Sequence, residues 1–152
     1  MEISEIRIKL LSNQRDKLRA FASLTVDHCV VVRDIKIIEG PAGLFVAMPS
    51  RKLMDRCPDC GGKNHLRARH CNDCGARLDV DRGNFDQRGR PRLYADVAHP
   101  IHQTARDFVQ GSILAAYRAE LVKSQQDGYV APTFDDLDYQ HYEELEPEEE
   151  GV

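Results

Sequence analysis

Tryptophan is absent from this 152-residue chain, and no lysine or arginine follows Lys123. No apolar run approaches the roughly 18 to 20 residues that a membrane-spanning helix needs. The first residues, MEISEIRIKLL, alternate polar and apolar and lack the basic segment and apolar stretch of a secretory leader. These absences lead to the expectation of a soluble, cytoplasmic protein with no membrane partner. The length leaves room for one ordinary domain and a small appendage, and 41% hydrophobic residues suffice for a modest core, so two large domains are excluded. Cysteine is scarce and odd in number. Five cysteines cannot form a fully paired disulfide framework, and a reducing cytoplasm disfavours disulfides, which leaves metal binding as the leading use for four of them.

The formal net charge of −4 conceals a division. Residues 1–126 hold all 21 basic residues against 15 acidic ones, a net +6, whereas the tail from Asp127 holds ten acidic residues and no Lys or Arg. A basic body with an acidic tail suits an anionic partner whose access the tail modulates; a tail that only aids solubility is the plainer alternative.

Strand patterns come first along the chain. Ile6, Ile8 and Leu10 alternate with Arg7 and Lys9, and Leu18, Ala20, Ala22, Leu24 and Val26 alternate with Arg19, Phe21, Ser23 and Thr25. The polar SNQRDK between them reads as a turn, and Cys29–Val32 with Ile35–Ile38 extend the pattern to a three-stranded meander. EGPAG breaks the chain before a short strand, Leu44–Met48, that ends at Pro49. Leu93–Ala98 is expected to return as a strand, with Pro100 in a first helical turn. Ile101, Ala105, Phe108, Val109, Ser112, Ala116, Tyr117 and Leu121 then recur at helical spacing. From Gln126 the acidic chain cannot bury enough apolar surface to offset its ordering entropy, although Tyr129, Phe134, Tyr139 and Tyr142 offer transient docking points.

Residues 51–92 differ in character, and within them Cys57-Pro58-Asp59-Cys60-Gly61 and Cys71-Asn72-Asp73-Cys74-Gly75 share one C-x-x-C-G form. Two residues between cysteines let a tight turn aim both sulfurs at one ion while backbone N–H groups face the thiolates. The following glycine supplies the positive φ that such a turn needs. Two such knuckles complete a tetrahedron of four thiolates, the donor set of a closed structural zinc site. The ten-residue spacer is shorter than that of long zinc ribbons and implies a compact hairpin. Iron in a rubredoxin-like site is the rival. The basic, tryptophan-free surroundings do not favour it. A thioredoxin-like role is weaker, because that motif opens a helix after a buried strand. His65 and His70 find no vacancy beside four cysteines and are expected to face solvent or contact nucleic acid, and Cys29 reads as a buried thiol in an apolar strand. A closed site leaves no open metal position, so no catalytic residue is assigned and neither enzymatic activity nor a small-molecule substrate is expected. His99-Pro100 reads as a helix start rather than catalytic machinery.

With the insertion set aside, DHCVVVRDIKIIEGPAGLFVAMPSRK joins YADVAHPIHQTARDFVQGSILAAYRAEL. That composite resembles the SpoVG family (stage V sporulation protein G, septation regulator). The carriers are Asp27-His28, Val32–Ile35, Gly43–Ser50, Asp96–Ile101, Arg106 and Tyr117. The resemblance implies an α+β domain, a homodimer formed through strand and helix contacts, and binding of DNA or RNA linked to gene regulation, cell division or sporulation. It places Arg51 and Lys52 at the family's basic pair and Arg106 at a basic helix position. It also marks a departure, since about forty residues here replace a short loop.

The expected fold is therefore α+β: a small antiparallel sheet with a C-terminal amphipathic helix, interrupted by a zinc-ribbon-like insertion. Residues 1–50 and 93–125 form the α+β domain, 51–92 the inserted zinc-binding module and basic arm, and 126–152 an acidic, disordered tail. Independently of the resemblance, residues 51–92 carry eleven basic against six acidic residues and stay net positive after a zinc with four thiolates is counted. Arg67, Arg69, Arg88, Arg90 and Arg92 are the candidate nucleic-acid contacts there, because arginine forks onto phosphate or guanine; the alternative is a merely solvated basic loop. The rival function is a zinc-dependent protein-interaction adaptor that does not bind nucleic acid.

Overall fold

A computed structural model of the chain describes residues 1–12 and 16–132. Strands β1 (Ile3–Leu10), β2 (Leu18–Val26), β3 (Val30–Gly40) and β4 (Gly43–Ala47) form one antiparallel sheet in that order. Alternation puts Ile8, Ala20, Ala22, Leu24, Ile35 and Ile37 on one buried face. Ile8 pairs with Ala22 and Ala22 with Ile35, while Leu10 pairs with Ala20 and Ala20 with Ile37, so the apolar residues run in rows across the strands. The expected SNQRDK turn includes residues 13–15, outside the described residues.

Val32 and Ile35 are an odd number of residues apart yet both pack on the core. Ala22 pairs with Ile35 and Leu24 with Val32, so Arg33 and Asp34 together stand opposite Ser23, and Asp34 takes a φ of 57°. This β-bulge absorbs the extra residue and keeps both apolar side chains inward. The two apolar runs of the expected third strand are thus joined in one strand by a bulge.

Cys29 departs from its expected burial. The β2–β3 turn places Asp27 and His28 at φ 49° and 55°, and strand pairing resumes only at Val30. Cys29 is therefore exposed in the turn, its Sγ 2.9 Å from the Asp27 carbonyl oxygen.

Helix α1 (Gln103–Ser124) packs against β1, β4 and β2 through Val109, Ile113, Leu114 and Tyr117. Its buried stripe is rotated by about one residue from the expected one. Phe108 and Leu121 are exposed and Ile101 lies outside the helix, because the sheet takes the row carrying Ile113 and leaves the row carrying Ser112. Pro100 precedes the helix rather than joining its first turn. His102 is the N-cap, its Nδ1 accepting from the Ala105 N–H at 3.1 Å. Beyond the helix the Tyr129 hydroxyl donates to Glu120 at 2.6 Å. The expected disorder of the tail, with Phe134, Tyr139 and Tyr142, concerns residues beyond 132 and lies outside the described residues. No helix among the described residues is long and apolar enough to cross a membrane.

The chain divides into two compact units, one of Met1–Pro49 with the chain from His99, the other Ser50–Ala98. The expected returning strand is present as a short strand at Tyr94–Asp96, but it pairs with Ser50–Lys52 and not with the four-stranded sheet. In chain order the second unit holds β5 (Ser50–Lys52), β6 (Met54–Arg56), β7 (Lys63–His65) and β8 (Tyr94–Asp96). The β5–β8 ladder, extended by the Leu53 N–H to the Leu93 carbonyl at 2.8 Å, closes it.

Candidate metal centre and the basic groove of the insertion

Each C-x-x-C-G segment tips a hairpin. The first links β6 to β7; the second is held by the pairing of His70 with Arg77 and by the Leu78 N–H on the Arg69 carbonyl at 2.8 Å. Their internal geometry is the same. The Cys57 and Cys71 N–H groups donate to the Gly62 and Ala76 carbonyls, both at 2.8 Å, and Gly61 and Gly75 donate back to the Cys57 and Cys71 carbonyls at 2.9 and 3.0 Å. Gly61 and Gly75 have φ of 76° and 77°, which any other residue would adopt only with strain.

The two tips bring four sulfurs within 4.8 Å of one another, with Cys57 and Cys74 at 3.7 Å and Cys60 and Cys71 at 3.5 Å. A disulfide is excluded, since S–S bonds are near 2.05 Å. Four sulfurs about 2.3 Å from a central zinc stand ~3.8 Å apart, so the donors match a tetrahedral ion in type and spacing. Cys57 and Cys71 are buried with Leu78, while Cys60 and Cys74 are exposed.

Polar groups already face the sulfurs. The Gly62 N–H points at Cys60 and the Asp73 N–H at Cys71, both at 3.4 Å. Asn64, only 3% exposed, donates to the Cys71 sulfur at 3.3 Å while its oxygen accepts the Asn72 N–H at 2.8 Å. It ties one knuckle to the other. Sequence reasoning missed Asn64; its one signal is position, beside the first knuckle. The Cys74 N–H, then the Asn64 amide, hold the Cys71 thiol down at about 6. At Cys60 the Gly62 N–H pulls downward but is outweighed by the neighbouring sulfurs and by desolvation, which push the thiol up to about 12. At Cys74 the Ala76 N–H likewise pulls down, yet burial and the Cys57 and Cys71 sulfurs leave the pKa raised. Four thiolates this close repel one another, and a dication at their centre removes the conflict.

His65 and His70 stay outside this donor set. His65 is half-buried, its Nδ1 accepting the Arg67 N–H at 3.0 Å, and His70 is exposed. Arg82 is structural: it pairs with Asp55 at 2.7 Å and donates to the Asp79 and His65 carbonyls, both at 2.7 Å.

The candidate basic residues fall into separate groups. Arg51 and Lys52 are exposed on β5, with Lys52 opposite the exposed Tyr94. Arg67, Arg69 and Arg92 line one groove of about 400 Å³ in the second unit. Arg88 and Arg90 belong to a hairpin loop closed by Asp86, whose carboxylate accepts the Arg88 and Arg90 N–H groups at 2.9 Å and pairs with the Arg90 side chain. The Arg90 N–H first, with the Arg88 N–H, holds the Asp86 carboxyl below its usual range. Arg90 therefore spends part of its charge inside the loop. Arg106 lies exposed on α1, in the other unit.

A four-stranded sheet with one helix, interrupted by a four-cysteine hairpin module, defines a small α+β protein with a candidate metal centre. The SpoVG family model matches residues 1–119. Curated relatives named "Putative septation protein SpoVG" include that of Caldicellulosiruptor bescii, 34% identical over 119 residues covering 78% of this chain and 93% of the relative. That of Bdellovibrio bacteriovorus is 33% identical over 80% of this chain and 77% of its own, and that of Finegoldia magna 35% identical over 81% and 80%. The chain belongs to the SpoVG family.

Proposed function

We propose that this protein is a homodimeric, nucleic-acid-binding regulator of the SpoVG kind, acting in septation, whose insertion is held by one structural zinc ion. The observation that carries the reading is the run of exposed cations in the second unit: Arg51 and Lys52 beside Tyr94, and Arg67, Arg69 and Arg92 along one groove. Zinc is the ion that four closed thiolates suit, held by Cys57, Cys60, Cys71 and Cys74, and it would serve as a cross-link. The relatives' names support a septation role. Exposed Phe108, Leu121 and Val122 on α1, together with the sheet-edge strands β1 and β4, support self-association.

Binding to DNA and RNA oligomers, measured against salt, tests the function. Affinity should fall steeply with salt, and replacing Arg51 and Lys52 with alanine should reduce the magnitude of the log–log slope by roughly 0.7 to 0.9 per lost phosphate contact. A protein-interaction adaptor would show little binding even at low salt. Elemental analysis should find one zinc per chain, and light scattering twice the 17.3 kDa chain mass.

A further inference from the structure

The groove that holds Arg67, Arg69 and Arg92 also holds an aromatic ring. Phe85 is 54% exposed, and it is fixed by its pairing with Pro91 and by the Arg92 N–H on the Asn84 carbonyl at 2.8 Å. An exposed phenyl on a tight hairpin contributes nothing to a core, and the buried core of this unit is Cys57, Cys71 and Leu78. Among the described residues, the guanidinium groups of Arg67, Arg69 and Arg92 have no ion pair, whereas Arg82 in the same groove is matched by Asp55. Asp81 is the only acid among the lining residues. The groove thus offers three uncommitted guanidiniums against one carboxylate around a ring with an open face.

We infer that this groove is a subsite for an unpaired nucleotide of single-stranded DNA or RNA, with Phe85 stacking on the base and Arg67, Arg69 and Arg92 holding the flanking phosphates. The inference rests on the nucleic-acid reading above and narrows it. A duplex keeps its base faces stacked inside and shows this groove only phosphates and groove edges, so the ring meets nothing flat. A single strand offers a π-face at every residue, with phosphates at both sides. The volume fits a nucleotide-sized ligand, at the small end of the range for ligand sites. An acidic peptide would satisfy the arginines but leave the ring unused.

The test uses the full-length, zinc-loaded protein and four fluorescent probes: a dT oligomer, an rU oligomer, a mixed-sequence DNA duplex and a polyglutamate peptide. Phe85→Ala should weaken single-strand binding about 5- to 150-fold, the loss of one stacked base. Duplex binding should change less than twofold, and Phe85→Trp should restore single-strand affinity. A single-stranded oligomer carrying 2-aminopurine reads stacking on the wild-type protein directly, independently of whether the variant folds: its fluorescence should be quenched on binding. If the wild-type protein binds nucleic acid but Phe85→Ala leaves single-strand affinity unchanged, or 2-aminopurine is not quenched, the subsite is overturned while the nucleic-acid reading stands. If polyglutamate binds and the nucleic acids do not, both fall.

Discussion

Asn64 lies seven residues before Cys71 in the chain and 3.3 Å from its sulfur in space, with its oxygen on the Asn72 N–H. Such a group orients a ligand and disperses its charge without touching the ion. Asn64→Ala should therefore weaken zinc binding by about 10- to 100-fold in chelator competition while leaving the four-stranded sheet folded. Protons compete at the same sulfurs. The raised thiols of Cys60 and Cys74 must lose theirs to ligate, so zinc affinity should rise with pH across the neutral range and binding should release protons into a weakly buffered solution. Asp86 works in the opposite pH region. Its folded pKa is depressed, so its support of the loop is present above the ordinary carboxylate range and is lost as pH falls through the folded value. Asp86→Ala at constant pH, or acidification, should lower the exchange protection of the Arg88 and Arg90 amides, measured against the intrinsic exchange rate at each pH, because Asp86 accepts both N–H groups.

At the scale of elements, the sheet shows what a sequence reveals and what it hides. Period-two alternation marks the first two strands, apolar runs bounded by turn and breaker residues mark the third and fourth, and the repeated C-x-x-C-G marks both knuckles, because each signal lies within a few consecutive residues. The bulge at Arg33–Asp34 was hidden, since it exists only in the pairing with β2. The rotation of α1 was hidden for a similar reason. Two adjacent rows of the helix are apolar, and only the sheet decides which one it covers. Asn64 and the groove around Phe85 escaped because they depend on which hairpins meet. The helix assignment has a direct check. Ile113 is fully buried and Phe108 is 47% exposed, so Ile113→Ala should cost about 2 to 5 kcal/mol in denaturant unfolding of the first unit. Phe108→Ala, measured at concentrations low enough to keep the chain monomeric, should stay within about 0.5 kcal/mol. Comparable losses from both would place the buried face elsewhere.

Across the whole molecule, the two units are stabilised by different means. The first has a continuous apolar core from Ile8 to Tyr117, shared by four strands and a helix. The second has three buried apolar residues, Cys57, Cys71 and Leu78, two of them candidate ligands, and its strands β5 to β8 are three residues each. A core that small offsets little of the entropy of ordering its chain, so the proposed zinc cross-link through four sulfurs would supply most of the second unit's stability. Metal removal should then separate the units. On titration with a strong zinc chelator under reducing conditions, the amides of Cys57, Gly61, Cys71 and Gly75, which close the two knuckles, should lose exchange protection together. Those of Ala22, Ile35 and Ile37 in the sheet should keep theirs, and thermal unfolding of the stripped protein should retain the transition of the first unit. Cys57→Ser should reproduce this state without chelator. A single cooperative loss of protection across both units would mean that the insertion is part of the folding unit of the sheet, and unchanged protection at the knuckles would mean that the hairpins hold without an ion.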